Sequence, residues 1–353
     1  MNSNFGELLG IALQAKGISL TEFSNLLNLS RQAVYDYLKG ESLPSPDTIS
    51  RICQILELEF SYFNNCVDCL SDIKPYYRSF KKSLKKHKDM AEAHCKILTF
   101  VYKVISEHVD IPNINIFSRD KTPGKYSLEE IENAALELRM LWGLGVEPIG
   151  NLTNTMEKNG IVAAKKIFGD GDIDAFSFKY DDRLFVFLSS YEKPSVRIRF
   201  SNAHELGHMV LHSHYEDRLD DSRIHDEMEK EANSFAACFL MPKIKFKREI
   251  ISDKLKYLLE LKKKWMVSVQ AIILRARDLE VFDDEDVERL YMQIGSRGWR
   301  TLEPLDDKIK NENPLLLKES IQLIEREKMI NKEDIFSLIG YSSFDLSRLL
   351  GFQ

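Results

Sequence analysis

No run of eighteen apolar residues occurs in the 353 residues, so no membrane-spanning helix is expected. The first residues, MNSNFGELLGIALQAKG, lack a basic start and a small-residue cleavage site, so no secretion signal is expected. Cysteine is scarce. Cys53, Cys66, Cys69, Cys95 and Cys238 are odd in number and irregularly spaced, which argues against a disulfide framework and for reduced thiols in a cytoplasm. Cys66-Val-Asp-Cys69 has no second pair, so two buried thiols are expected there rather than a zinc site. No glycine-rich nucleotide loop is present, and FGDGDID (168–174) reads as a hairpin turn. Excess positive charge is also missing. The net charge is −6, which excludes a surface dominated by polyanion binding but leaves room for local basic patches.

What is present is the composition of a soluble globular protein, 44% hydrophobic and 29% charged, over a length that favours two or three domains. Residues 5–58 read as four short helices. Phe5, Leu8, Leu9 and Leu13 form one stripe that stops at Gly17. Ser19 caps SLTEFSNLL with Glu22 three residues on, a capping box. Ser30 caps SRQAVYDYLKG, whose Ala33, Val34 and Leu38 are expected inside, with Arg31, Gln32, Tyr35 and Asp36 outside. A fourth helix starts near Ser45. Two short helices around a tight turn, the second offering Arg and Gln at its N-terminal end, suit major-groove reading, where Arg pairs with guanine and Gln with adenine.

Residues 5–60 resemble the XRE (Cro/C1-type) helix-turn-helix family on the pattern LSRQAVYDYLKGESLPS and the amphipathic helix after it. The resemblance implies operator-type duplex DNA as a partner and Ser30, Arg31, Gln32 and Tyr35 as its contacts. Four basic residues against seven acidic ones give residues 1–65 a net −3, although phosphate attraction normally supplies much of DNA affinity. A helical module that binds protein is therefore the alternative. The next segment, DIKPYYRSFKKSLKKHKD (72–89), carries seven Lys/Arg against two Asp. With Ile73, Tyr77, Phe80 and Leu84 at helical spacing it reads as a solvated amphipathic helix. Lys81, Lys82, Lys85 and Lys86 are candidate phosphate contacts.

An amphipathic helix over 90–108 and a loop over PNINIFSRDKTPGK lead to a new domain near Ser127, where SLEEIENAALELRMLWGLG opens with another capping box. IVAAKKIF, AFSFKY and LFVFLSS are three candidate strands, after which helical period returns from Ser201. In RIRFSNAHELGHMVLHSH, His204 and His208 lie four apart on one helix face and can converge on one ion, a spacing that suits Zn²⁺. Glu205 sits at the adjacent edge, where a general base for a zinc-activated water belongs. Two ordinary helix histidines would satisfy the bare H-E-x-x-H equally well. Downstream, DEMEKEANSFAACFLMP (226–242) reads as an amphipathic helix ended by Pro242, with Glu229 on its first turns as a further oxygen donor.

Together, RIRFSNAHELGHMVLH and EKEANSFAACFLMP resemble the ImmA/IrrE family of zinc metallopeptidases over roughly residues 127–245. The resemblance implies one Zn²⁺ per chain held by His204, His208 and Glu229, with Glu205 catalytic. Glu229 is chosen because Glu229-Lys-Glu-Ala232-Asn233 fits the family's E-x-x-A-[ND], and Glu231 is the runner-up. Asn233 becomes a partner orienting a ligand histidine, and DAFSF matches an edge strand that in related proteases holds extended substrate. His212 is expected behind the ligands or at an oxyanion, and His214, His225 and His94 outside the metal set. GSRGWRTLEPLD (295–306) resembles a segment often found after this core.

The expected architecture is α+β and mostly helical. It comprises a helix-turn-helix bundle (1–65), a basic helical linker (66–126), a zincin-like (gluzincin) domain with a small sheet and an active-site helix (127–245), and a helical C-terminal region (246–353) of unassigned role, with packing favoured over a ligand sensor or a dimerisation element. The function implied is a cytoplasmic DNA-binding regulator with a zinc endopeptidase. Its protein substrate would be an XRE-type repressor, an antitoxin or the chain itself, cut in a stress or mobile-element response. A homodimer is compatible with this scheme. The alternative is a non-proteolytic XRE-family transcription factor or antitoxin that uses the peptidase fold for sensing.

Overall fold

The computed structural model describes residues 4–65, 73, 85–168, 175–189, 193–213 and 222–352. Cys66 and Cys69, Tyr77, Phe80, Lys81, Lys82 and Leu84, the GDGD turn and His214 lie outside them. Helix accounts for 61% of the chain against one three-stranded sheet, so the α+β, mostly helical expectation holds. Packing divides the chain into two compact units that are discontinuous in sequence: 1–112 with 160–189 and 314–353, and 113–159 with 190–313. The four consecutive segments expected from sequence are thus regrouped. The strands and the last forty residues join the helix-turn-helix bundle, while residues 246–313 stay with the histidine-bearing helix.

In the first unit, helices Phe5–Lys16, Leu20–Leu27, Arg31–Lys39 and Pro46–Leu56 form the N-terminal bundle. Ser19, Ser30 and Ser45 cap three of them by accepting from the amides of Glu22, Ala33 and Thr48. Gly6 lets the first and third helices touch, because a Cβ there would stand 2.5 Å from the Tyr37 and Leu38 carbonyls. The same core takes in Ala91, Leu98 and Val101 of helix Lys85–Ser106, and Ile321, Ile335 and Leu346 of the C-terminal helices Leu316–Arg326, Lys332–Ile339 and Ser343–Leu349. Three polar ties fasten those last helices to the bundle. Lys16 Nζ is 2.7 Å from both Asp345 and Glu57, the Glu59 amide donates to the Gly340 carbonyl at 2.8 Å, and Asn65 donates to the Ile339 carbonyl at 2.9 Å. Gly340, at φ +69°, lies so close that a Cβ would fall 2.2 Å from the Tyr62 nitrogen.

The sheet has strand order β1 (Val162–Lys166), β3 (Arg183–Ser189), β2 (Ala175–Tyr180), with β1 parallel and β2 antiparallel to the central strand. Facing pairs Phe178–Phe185 and Phe176–Phe187 stack with centroids 4.6 and 5.2 Å apart. These four rings, with Val162 and Ala164, belong to the first unit's core, which is why the strands group there.

The second unit is all helix among its described residues: Leu128–Leu141, Leu152–Lys158, Ser195–Leu211, Ser222–Leu240, Lys243–Glu249, Leu255–Trp265, Val269–Asp278 and Asp284–Ser296. The capping box expected at Ser127 and Glu130 is present. Buried Arg139 spans the unit, donating to the carbonyls of Gly145, Glu147 and Phe239. Glu303, in the segment after the peptidase-like core, accepts from the amides of Val269 and Gln270 and from buried Lys262. It therefore neutralises a buried lysine and caps the helix that starts at Val269. Among the described residues no helix is long and apolar enough to cross a membrane.

Candidate metal centre

The site is built on two helices, Ser195–Leu211 and Ser222–Leu240, and on a glycine between its two histidines. A Cβ on Gly207 would stand 3.0 Å from the Ala232 Cα and 3.1 Å from both the Ala232 carbonyl oxygen and the Phe235 Cβ, so a larger residue there would press the two helices apart by a few tenths of an ångström. Polar ties hold the first helix in place. Buried Arg199 donates to the Ile149 carbonyl and pairs with Glu312, and Asn202 donates to Thr153 at 3.0 Å.

At the crossing, the donor atoms of His204, His208 and Glu229 all lie within 4.8 Å of one another. The two Nε2 atoms are 3.0 Å apart, and Glu229 reaches His204 at 3.4 Å through Oε2 and His208 at 3.2 Å through Oε1. Donors about 2.0–2.1 Å from a tetrahedral zinc stand about 3.3 Å from each other, so this triangle has the right edge lengths. Glu229 Oε1 is also buried without an aligned hydrogen bond. Two imidazole lone pairs and a carboxylate aimed at one point repel each other unless a cation sits among them. The residues present therefore fit a divalent metal of the zinc type.

The electrostatics agree. Burial would raise the Glu229 carboxyl, but the two histidines outweigh burial and hold it well below the usual carboxylate range. Burial would lower His204, yet Glu229, the charge of Glu205 and the Asn233 contact together raise it. Glu205 is 2% exposed, one residue from His204 and within reach of its charge. Asn233 Oδ1 accepts from His204 Nδ1 at 3.0 Å, leaving Nε2 to face the site.

The remaining histidines divide as their environments require. His212 is buried, with Nδ1 3.0 Å from His208 Nδ1 and Nε2 2.9 Å from Glu231. Both nitrogens of its ring are thus taken up, one by His208 and one by Glu231. Glu231, the runner-up ligand, faces His212 and is not in the donor triangle. His225 lies outside that triangle, with Nδ1 3.9 Å from Asp226. His94 belongs to the first unit. It is edge-on to Phe168 and bonded to the Met90 carbonyl, and burial followed by the Lys166 charge lowers it to about 3, keeping it neutral.

Of the candidate DNA contacts, Arg31, Gln32 and Tyr35 are exposed on helix Arg31–Lys39. Gln32 donates to Asp36 at 2.7 Å, and Lys39 lies over the Tyr35 ring at 5.7 Å. The Ser30 hydroxyl is engaged as the helix cap. Lys85 and Lys86 are exposed at the start of the long helix. Cys53, Cys95 and Cys238 are free and buried, as expected for reduced thiols. Sequence reasoning passed over Gly207, whose signal was a glycine inside a strong helical pattern. It also passed over Tyr126, which carries no motif and which only the fold brings beside His212, at 6.4 Å between ring centres.

Comparison with known proteins matches this arrangement at two places. Residues 9–63 match a family model described as helix-turn-helix. Residues 156–277 match the peptidase-family model described as the IrrE N-terminal-like domain, a span that covers the strands and His204, His208 and Glu229. No curated protein matches the chain. The chain thus joins a segment that matches a helix-turn-helix family model (9–63) to one that matches the IrrE N-terminal-like domain (156–277).

Proposed function

We propose that the chain is a cytoplasmic transcriptional regulator with a zinc-dependent endopeptidase activity, directed at an XRE-type repressor, an antitoxin or the chain itself. The observation that carries the reading is the convergence of His204, His208 and Glu229 within 4.8 Å on two crossed helices. These three residues would hold one zinc. Bound there, zinc would supply a Lewis acid that brings the pKa of water to about 7. Glu205, next to a ligand on the same helix, takes the proton of the attacking water and delivers it to the leaving amine. Asn233 holds His204 with its Nε2 facing inward. Arg31, Gln32 and Tyr35 read the major groove from the exposed face of their helix.

A fused DNA reader supports a target that is itself bound at an operator, because shared DNA raises the local concentration of the substrate. Glu205→Gln keeps the shape and removes the base. The variant is expected to retain its zinc and to leave a co-expressed helix-turn-helix repressor uncut, with the promoter locked in its repressed state. If Glu205→Gln regulates that promoter like the wild type, the proteolytic reading fails and the non-proteolytic sensor or antitoxin replaces it.

A further inference from the structure

Behind the donor triangle lies a second line of side chains, His212 and Glu231, that are not themselves part of it. We propose that His212 and Glu231 are positioning residues that set the tautomer and ring plane of His208 through a two-step hydrogen-bond relay. The proposal rests on the reading of His208 as a metal ligand.

Each link settles the next. A carboxylate only accepts, and Glu231 Oε2 stands 2.9 Å from His212 Nε2, so that nitrogen carries the proton. In the neutral ring the lone pair of His212 is then on Nδ1, which faces His208 Nδ1 at 3.0 Å. In that form His208 donates there, and its Nε2 lone pair is left facing Glu229 and His204. The far end is anchored too, since Glu231 Oε1 accepts from the Tyr126 amide at 3.0 Å, and the Tyr126 hydroxyl donates to the Leu211 carbonyl at 3.1 Å.

Burial makes the order strict. Side-chain exposure is 2% at His208, 0% at His212 and 6% at Glu231, so little water is available to rescue a wrong tautomer. Helix geometry explains the layout. His212 continues the stripe of His204 and His208, while Glu229 and Glu231, two residues apart on the facing helix, meet different histidines. The two ligand histidines are thus supported unequally, His204 by a neutral amide and His208 by a relay ending in a carboxylate.

The test uses the full chain, stripped of metal and titrated with Zn²⁺ against a chromophoric chelator. His212→Ala and Glu231→Gln are each expected to weaken zinc binding about 10- to 100-fold. His212→Asn puts an amide oxygen near the place of Nδ1 and is expected to recover part of the loss. In Glu231→Gln the new amide group opposes either His212 Nε2–H or the Tyr126 N–H, so it cannot simply substitute. Nitrogen NMR of the His212 ring should find the Nε2-protonated form in the wild type and a shift toward the other form in Glu231→Gln. Folded variants that bind zinc like the wild type overturn the relay, as does His212→Asn binding no better than His212→Ala. A wild type that binds no zinc sinks the metal-centre reading instead. The His212 tautomer then still decides the relay, and an Nδ1-protonated ring overturns it.

Discussion

Helix Arg31–Lys39 buries only Val34 of its nine residues, whereas helix Ser195–Leu211 buries thirteen of seventeen, among them Arg199, Asn202, Glu205 and His208. Both carry the side chains assigned to function, but they carry them under different physical rules. On the first, Arg31, Gln32 and Tyr35 stand in water and contribute little to stability, so their identity is free to serve recognition. On the second, Arg199, Asn202, Glu205 and His208 are buried and need partners, so function and folding share the same contacts. Substitutions should therefore separate function from stability on one helix and couple them on the other.

The sharpest break in that comparison is Gly207→Val. Its Cβ alone would stand 3.0 Å from the Ala232 Cα and 3.1 Å from the Phe235 Cβ, before its two methyl groups are placed. A destabilisation of about 1–3 kcal/mol is expected from the overpacking alone, read as a lower denaturant midpoint together with lost zinc binding. Next in size is Ser30→Ala, which removes the hydroxyl that caps helix Arg31–Lys39. A loss of about 1 kcal/mol is expected. A Ser30→Ala chain with unchanged stability and weakened DNA binding would make Ser30 a phosphate contact instead of a cap. Smallest is Arg31→Ala combined with Gln32→Ala, for which stability within about 0.5 kcal/mol of the wild type is expected. Gel-shift affinity for the operator should nevertheless fall sharply, and unchanged operator affinity would remove this helix from DNA reading.

The two helices also differ in how much of them could be read in advance. Helix Arg31–Lys39 follows local rules, a serine cap, one apolar stripe and a glycine stop, all of which act within a few residues. The pairing of His204 and His208 is local in the same way, because four residues make one helical turn. Glu229, Asn233 and Glu231 come from another helix, and which of them meets which histidine depends on the crossing that Gly207 permits. Periodicity cannot report a crossing angle, and here only the family resemblance favoured Glu229 over Glu231. The grouping of the strands was hidden for a similar reason. The aromatic residues Phe176, Phe178, Phe185 and Phe187 mark a buried sheet, but a sheet's partner is decided by residues far away in sequence. Likewise Asp345, at the other end of the chain, shows its worth only where it meets Lys16.

The central claim is that three residues from two helices form one metal site, and the metal content of the purified full chain tests it most directly. One zinc per wild-type chain is expected, with none retained by Glu229→Ala at equal folded fraction. A wild type that stays metal-free in added zinc, or a Glu229→Ala chain that still holds one equivalent, would contradict it.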